Sequence, residues 1–426
     1  MSVSLQNGLT TLAAGIDAPI ASFFNSCVHC GLCAGACHFH VETGDPRYTP
    51  IHKLEPLRRI WQREYTLWGR LLARLGLLPP PDEAELAEWQ SLLYDSCTLC
   101  GRCSLVCPVG NDITYMIRKA REGMVAAGHA PEGLKTTTYR ALTTGSPMGV
   151  RYPALAKIIA SLEKEEGIEV PFDREGADYL LVLSANEYML YPESIAAMAR
   201  IFHRAGLSWT LASEGYEATN AGIQIGSSDL ARELLLRIVE TAEKLGVKTV
   251  ISPECGHAYT TLRWDGPNLI GRPYRFRVVH LLELFDELRR DGRLTLAGKH
   301  REKLTFHDPC QLVRRGGLID EPRHLLDMAA EAFEEMDCAG VWNWCCGGGG
   351  GVSANPDADA LRNRAFAMKK RQFDATGARK VVTACANCRA VLEDGIEARE
   401  MALEIVGMAE LLAENLAPPD EETQHE

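Results

Sequence analysis

Two adjacent cysteines, Cys345 and Cys346, followed by five glycines from Gly347 to Gly351, constrain this chain more than any other feature. Neighbouring thiols add nothing to ordinary packing and invite oxidation, so such a pair implies a use for both sulfurs. Three further cysteines belong with them: Cys310, closing His307-Asp308-Pro309-Cys310, and the pair Cys385 and Cys388. The full pattern is C-x34-CC-x38-C-x2-C. Five thiolates converging on one place exceed what a tetrahedral zinc or an ordinary four-iron cube uses. The glycine run strips away side chains where something bulky approaches the backbone. The region therefore reads as one large iron–sulfur site with room for a substrate beside it.

A second signal lies upstream. Cys27, Cys30, Cys33 and Cys37 give C-x2-C-x2-C-x3-C, and Cys97, Cys100, Cys103 and Cys107 repeat it, with Pro108 following. In two-cluster ferredoxins the fourth cysteine of each run ligates the other cluster. This assigns Cys27, Cys30, Cys33 and Cys107 to one cubane [4Fe–4S] cluster, and Cys97, Cys100, Cys103 and Cys37 to a second. Zinc more often takes paired C-x2-C halves. His38 stands where proline usually follows the fourth cysteine.

Fifteen cysteines clustered in this way argue for metal rather than a disulfide scaffold. The net charge of −12 disfavours nucleic acid as a partner. Residues 1–150 are balanced, with 13 basic and 13 acidic side chains, so the acidic excess lies beyond them. Neither a basic, apolar leader nor an apolar run of membrane-spanning length is visible. The expected location is cytoplasmic, with any membrane link made through a partner or a surface-lying segment.

Between the two cysteine runs, Leu54, Leu57, Ile60, Trp61, Tyr65, Trp68, Leu72 and Leu75 recur at helical steps up to Pro79. Glu83 to Asp95 reads as another helix, and Asn111 as the cap of a third. Arg58, Arg59, Arg63, Arg70 and Arg74 interleave with Trp61, Tyr65 and Trp68. Such a helix either packs on its own domain behind a solvated arginine face, or marks a membrane surface or a docking site for a membrane partner.

Beyond residue 175 strands alternate with helices, which implies α/β units. Strands are expected at 179–183, 247–251, 303–307 and 380–383, and helices at 193–205, 230–245, 321–333 and 358–376. The two halves read as repeats. Lys248 to His257 lies over Arg379 to Cys388 without a gap, so Glu254 stands opposite Cys385 and His257 opposite Cys388. Gly215 then falls opposite Cys346. The expected fold class is α plus α/β, with a helical two-cluster domain followed by two α/β units, the first lacking its cluster ligands. Its divisions are an N-terminal arm at 1–19, the two-cluster domain at 20–145 and a linker at 146–175. The first unit spans 176–298, the cluster-binding unit 299–417 and an acidic tail 418–426.

A helical two-cluster ferredoxin joined to tandem cysteine-rich CCG units resembles HdrD, an iron–sulfur subunit of heterodisulfide reductase, and its relatives of the DsrK type. His-Asp-Pro-Cys, Cys-Cys-Gly-Gly-Gly-Gly-Gly and Glu-Cys-Gly-His-Ala carry the resemblance. It implies a non-cubane [4Fe–4S] cluster held by Cys310, Cys345, Cys346, Cys385 and Cys388. It also implies an oxidoreductase acting on sulfur groups, cleaving or forming a disulfide or trisulfide of a small sulfur-carrier protein like DsrC. The implied partner is a membrane subunit with haem b that reacts with quinone, like DsrM, in a hetero-oligomeric complex serving dissimilatory sulfur metabolism.

Other residues are candidates for chemistry beside the cluster. His257 and Glu254 stand opposite cluster ligands in the repeat, with His257 either a hydrogen-bonded structural histidine in place of a lost ligand or a proton donor at the cleft. Cys255 is either a buried small residue or the thiol for a mixed disulfide with substrate. His307 tunes the cluster, Arg314 and Arg315 either attract an acidic substrate tail or are exposed charges at a helix start, and Cys338 is structural. The rival reading is an electron-transfer subunit of a flavin-dependent glycolate, lactate or glycerol-3-phosphate dehydrogenase, in which the CCG region is a relay.

Overall fold

Leu5, Leu9 and Leu12 recur on one face of the N-terminal stretch, and the Ser2 hydroxyl caps it by accepting from Leu5 N at 3.1 Å. The computed structural model, which describes residues 2–217 and 220–418, accordingly shows a packed helix, α1 (Val3–Ala14), where the sequence pattern suggested an arm. Two small residues let α1 lie close to a later helix. A Cβ on Gly8 would sit 2.4 Å from the Ala127 Cβ, and one on Gly123 2.3 Å from Leu12 Cγ.

The chain divides into two compact units that do not follow its linear order. The first contains Met1–Thr138, Ala221–Ala231 and Gly347–Lys369. Its helices include α2 (Ala18–Ser26), α3 (Glu55–Ile60), α4 (Leu67–Arg74), α5 (Glu83–Gln90) and α6 (Ile113–Ala126). The spacer expected as one long helix breaks after a wide turn at Trp61–Tyr65, and α4 restarts under a Thr66 cap. Asp112, not Asn111, caps α6, accepting from Thr114 N and Tyr115 N. The unit's core joins Leu57, Ile60, Trp89, Leu93, Met116, Ile117 and Met124.

The glycine run belongs to this first unit and explains its own composition. Gly347, Gly350 and Gly351 have φ of 100°, 61° and 89°, the left-handed region that a side chain resists. A Cβ on Gly350 would stand 2.8 Å from the carbonyl carbon of Thr98, between Cys97 and Leu99. One on Gly351 would stand 2.7 Å from Leu134 Cδ2. The bulky thing that approaches is the protein's own backbone. Gly350→Val is expected to cost about 2–4 kcal/mol, from strain plus overpacking, seen as a lowered thermal midpoint.

The second unit contains Tyr139–Asn220, Arg232–Cys346 and Lys370–Glu426. It opens with α7 (Tyr152–Glu166), whose Leu155, Ile159 and Leu162 enter the core, so the expected linker is largely a packed helix. Then follow β1 (Tyr179–Leu181), α8 (Ala185–Leu190), α9 (Pro192–Arg204), β2 (Trp209–Thr210) and α10 (Ser228–Leu245). After these come β3 (Thr249–Ser252), α11 (Gly256–Thr260) and β4 (Arg277–His280). The second sheet uses β5 (His300–His307), α12 (Glu321–Ala329), β6 (Ala330–Phe333), β7 (Lys380–Thr383), α13 (Ala386–Glu397), β8 (Glu404–Gly407) and α14 (Met408–Glu414). The helix expected through Phe333 ends at Ala329 because the chain turns extended there and becomes β6.

Both sheets are parallel and share one topology, β2-β1-β3-β4 and β6-β5-β7-β8. Ile251 pairs with Leu181 as Val382 pairs with Phe306, and Ser252 pairs with His280 as Thr383 pairs with Gly407. The strands thus keep the gapless repeat register. The helices that follow do not. Cys255 caps α11 with φ −146° and ψ 108°, and Cys385 caps α13 with φ −149° and ψ 107°. One extra residue after β3 puts Cys255, rather than Glu254, in the capping position that Cys385 holds. Residues 419–426 of the expected acidic tail lie outside the described residues.

Candidate functional site

In the first unit the two cysteine runs fold alike. His29 and Gly31 take positive φ of 53° and 79°, and Leu99 and Gly101 take 57° and 78°. Alternating left-handed residues turn successive backbone N–H groups toward one hollow, the geometry of an anion-binding nest. Burial and the facing thiols of Cys27 and Cys30 push Cys33 up to about 11, and Cys107 acts on it too. Cys103 is raised by burial and then by Cys100, Cys97 and Cys37. The fourth cysteine of each run therefore lies with the first three of the other.

In the second unit all five C-terminal cysteines are buried. Cys310 opens the turn after β5, and Cys385 caps α13 just after β7, so adjacent strands deliver both to one sheet edge. The Cys388 thiol is hydrogen-bonded to Cys346 and Cys385. His307, Cys346 and Cys388 bring one donor atom each within 4.8 Å of one another. Cys385 is drawn down to about 7, first by its bond to Cys388 and then by the backbone N–H groups of Gly256, Cys388 and Asn387.

The loop that carries Cys345 and Cys346 is held in place from below. Asp308 is buried, pairs with Arg323 and accepts from Gly340 N at 2.7 Å. The Asn343 side chain donates to the Asp308 carbonyl. Arg314 donates to the Val341 carbonyl at 2.7 Å and to Asn343. Arg314 is thus a loop anchor rather than a lure for an acidic tail.

The other candidates divide. Glu254 is buried: its carboxylate accepts from Ala409 N at 3.1 Å, and its carbonyl accepts from Ala386 N at 2.7 Å, next to Cys385. Burial and the charges of Glu187 and Glu410 raise it well above the usual carboxylate range. Cys255 is also raised, by burial and then by Cys385. His257 lies in the first turn of α11, half-buried. Cys338 is half-exposed, with its sulfur 3.7 Å from Asp337.

Two sequence families match the chain on these same stretches. Residues 24–111 match the 4Fe-4S dicluster domain, and residues 304–393 match the cysteine-rich domain called CCG. An Hdr-like menaquinol oxidoreductase iron-sulfur subunit of Archaeoglobus profundus is 26% identical, over 92% of this chain and 79% of that one. The D-type subunit of the dihydromethanophenazine:CoB–CoM heterodisulfide reductase of Methanosarcina barkeri is 27% identical, over 92% of this chain and 94% of its own. The chain is an HdrD-like iron–sulfur protein. An EtfAB:quinone oxidoreductase of Syntrophomonas wolfei is similar too, at 26% identity, with 57% of its length covered.

In this HdrD-like protein two buried cations stand beside the dicluster runs, and neither was among the residues expected at a site. Lys53 donates to Cys37 Sγ at 3.3 Å and to the Ser96 carbonyl. Burial pulls its ammonium down, but the facing Cys37 and Cys97 sulfurs outweigh that and leave it raised. Arg121 is fully buried and donates to the carbonyls of Leu93, Cys97, Gln224 and Gly350, at 2.7, 2.8, 2.6 and 2.7 Å. The sequence does carry a sign of it: Arg121 follows Ile117 by four residues, on the apolar face of α6. Lys53 has no such signal. Among the described residues, no helix is long and apolar enough to cross a membrane.

Proposed function

We propose that this chain is the iron–sulfur subunit of a membrane-associated complex that reduces, or reversibly forms, a disulfide or trisulfide on a small sulfur-carrier protein. Cys27, Cys30, Cys33 and Cys107 would hold one cubane cluster, and Cys97, Cys100, Cys103 and Cys37 the other. Cys310, Cys345, Cys346, Cys385 and Cys388 would hold a non-cubane cluster. The donor chemistry fits: every proposed ligand is a thiol, backbone N–H groups turn toward the runs, and Lys53 and Arg121 offset thiolate charge. The clusters, when bound, supply electrons one at a time and an open iron for a leaving sulfur. The observation that carries the reading is the buried cradle in which His307, Cys346 and Cys388 converge at the end of the second sheet.

The protein's own residues do the rest. Asp308, Arg323, Arg314 and Asn343 fix the loop before Cys345. The nearby amides of α13 stabilise negative sulfur at Cys385. A DsrC-like carrier is the proposed substrate, and a DsrM-like subunit with haem b and quinone the proposed membrane partner, in dissimilatory sulfur metabolism. The similarity to subunits named for heterodisulfide and menaquinol chemistry supports a disulfide substrate and a quinone-linked complex.

The docking face is narrower than the interleaved arginines suggest. Arg58 pairs with Glu55 and Arg59 with Glu85, and Trp61 stacks between Phe24 and Tyr65. What stays open is α4 and its exit, with Leu67 85% and Trp68 75% exposed, joined by Leu71, Leu75 and Leu77. We assign the membrane partner to that face.

Electron paramagnetic resonance on anaerobically purified protein, with and without added thiol, tests the reading. The expected result is two cubane signals plus a third that changes on thiol addition. Eight or fewer iron atoms in a fully loaded chain, about four per cluster, would sink it. Lys53→Met is expected to lower the potential of the cluster at Cys97. A unit charge roughly 7 Å away at an effective dielectric near 20 is worth about 2 kcal/mol, or roughly 100 mV. An anaerobic redox titration reads it.

A further inference from the structure

The first sheet repeats the topology of the second, so its carboxyl edge is the counterpart of the cysteine cradle. Ligands of open parallel sheets gather at that edge, where the strand order reverses, here between β1 and β3. In place of thiols the first sheet brings carboxyls: Glu187 after β1, Glu217 after β2 and Glu254 after β3, all buried. Glu187 accepts from Ser184 N at 2.7 Å and Glu254 N at 2.9 Å.

Of these carboxyls, Glu217 ends a line of hydroxyls. Tyr188, beside Glu187 on α8, donates its hydroxyl to Glu217 at 2.7 Å. The Tyr188 oxygen also lies 2.6 Å from Ser146 Oγ. Ser146 directly follows Thr144 and Gly145, which line a cleft of about 450 Å³ with Tyr216 and Arg237. At the inner end, the charges of Glu187 and Glu217 both act on the Cys255 thiol, which is itself a neighbour of Cys385.

We propose that Ser146, Tyr188, Glu217 and Glu187 form a proton relay running from this solvent cleft to the Cys255 side of the cysteine cradle. The proposal rests on the disulfide chemistry proposed above. Breaking one S–S bond to give two thiols consumes two electrons, supplied by the iron–sulfur chain, and two protons. Electrons alone leave two thiolates inside a buried cradle, where uncompensated charge is costly.

Buried carboxyls keep their protons longer than surface acids, here against the pull of the hydrogen bonds they accept. Burial lifts Glu187 to about 7 and Glu217 to about 8, values at which each can both give and regain a proton near neutrality. The titratable groups facing Glu217 are Tyr188, Tyr216, Glu187 and Cys255. Those facing Glu187 are Glu217, Glu254 and Cys255. The sign follows: the relay is loaded at low pH and empties as pH rises through Glu217. The four residues act through one another and are positioning residues, not catalytic ones.

The test uses the cluster-loaded full chain, its Glu217→Gln, Tyr188→Phe and Glu217→Asp variants, and bis(2-hydroxyethyl) disulfide with reduced methyl viologen. Two quantities are followed from about pH 6 to 9: the reduction rate in H2O and D2O, and the midpoint potential of the centre at Cys346. In the parent protein the rate is expected to fall above about pH 8 and the potential to depend on pH. In Glu217→Gln the rate should drop about 100-fold. Its solvent isotope effect and the pH dependence of the potential should both disappear, with iron content kept. Tyr188→Phe should slow the reaction likewise, and Glu217→Asp should restore part of it. Variants with full iron content and the parent's pH profile would overturn the relay. Should Glu217→Gln fail to fold, Tyr188→Phe decides. A parent protein that cleaves no disulfide defeats the functional reading, while the potential measurement still judges the relay.

Discussion

Replacing Cys346 by serine is expected to empty the cradle while leaving the dicluster runs loaded. Cys346 lies at the centre of the sulfur network, bonded to Cys388 and within 4.8 Å of both Cys388 and His307 through the donor atoms. A serine hydroxyl is a harder and more basic donor than a thiolate, and iron in a sulfide cluster is held by soft sulfur. The eight cysteines of the dicluster runs lie in the other unit. Iron should therefore fall from about twelve atoms per chain to about eight, with both cubane signals unchanged. Disulfide cleavage should fall by about 1,000-fold or more, since the proposed reacting metal centre is lost with its iron. Unchanged iron together with normal turnover would remove the cradle from the reaction.

Making α4 acidic is expected to release the protein from the proposed membrane partner. Leu67, Trp68 and Leu75 are exposed beyond what a solvated helix needs, and a contiguous apolar face of this kind marks an interaction surface. The double substitution Trp68→Glu and Leu71→Glu removes two side chains that would each contribute about 2 kcal/mol on burial. Affinity should drop about 1,000-fold, enough to abolish co-purification with the membrane fraction. Because neither side chain packs in the core of its unit, thermal stability and cluster content should stay as they were. Co-purification that survives would move the docking face elsewhere.

Much of this architecture is legible in the sequence because its causes are local. Cysteine spacing fixes which thiols wrap together, and period-two and period-3.6 patterns place most strands and helices. The gapless match of Lys248 to His257 with Arg379 to Cys388 anticipates the shared sheet register. It misjudges the caps, because one extra residue between β3 and α11 changes neither pattern, yet moves Cys255 into the place of Cys385. The two-residue β2 carries too little periodicity to be seen, and β4 and β8 escape although β3 and β7, of the same length, do not. The purpose of the five glycines is equally hidden. Gly350 meets the Thr98 backbone and Gly351 the Leu134 side chain, both far upstream, and no local pattern announces such distant neighbours. The buried acids Glu187 and Glu217 have only a weak sign, the Ser184-x-x-Glu187 box that opens α8.

The placing of residues 347–369 among the dicluster helices has a practical consequence for anyone wishing to dissect the protein. A gene trimmed after residue 138 encodes every cysteine of the two ferredoxin-like runs but omits the stretch that walls them. Arg121 would forfeit the Gly350 and Gln224 carbonyls, and Asp95 the Asn355 amide that meets it at 2.6 Å. Such a fragment leaves a guanidinium stranded beside Cys97. A minimal electron-transfer piece must instead be grafted, with the two downstream insertions stitched back onto the N-terminal portion.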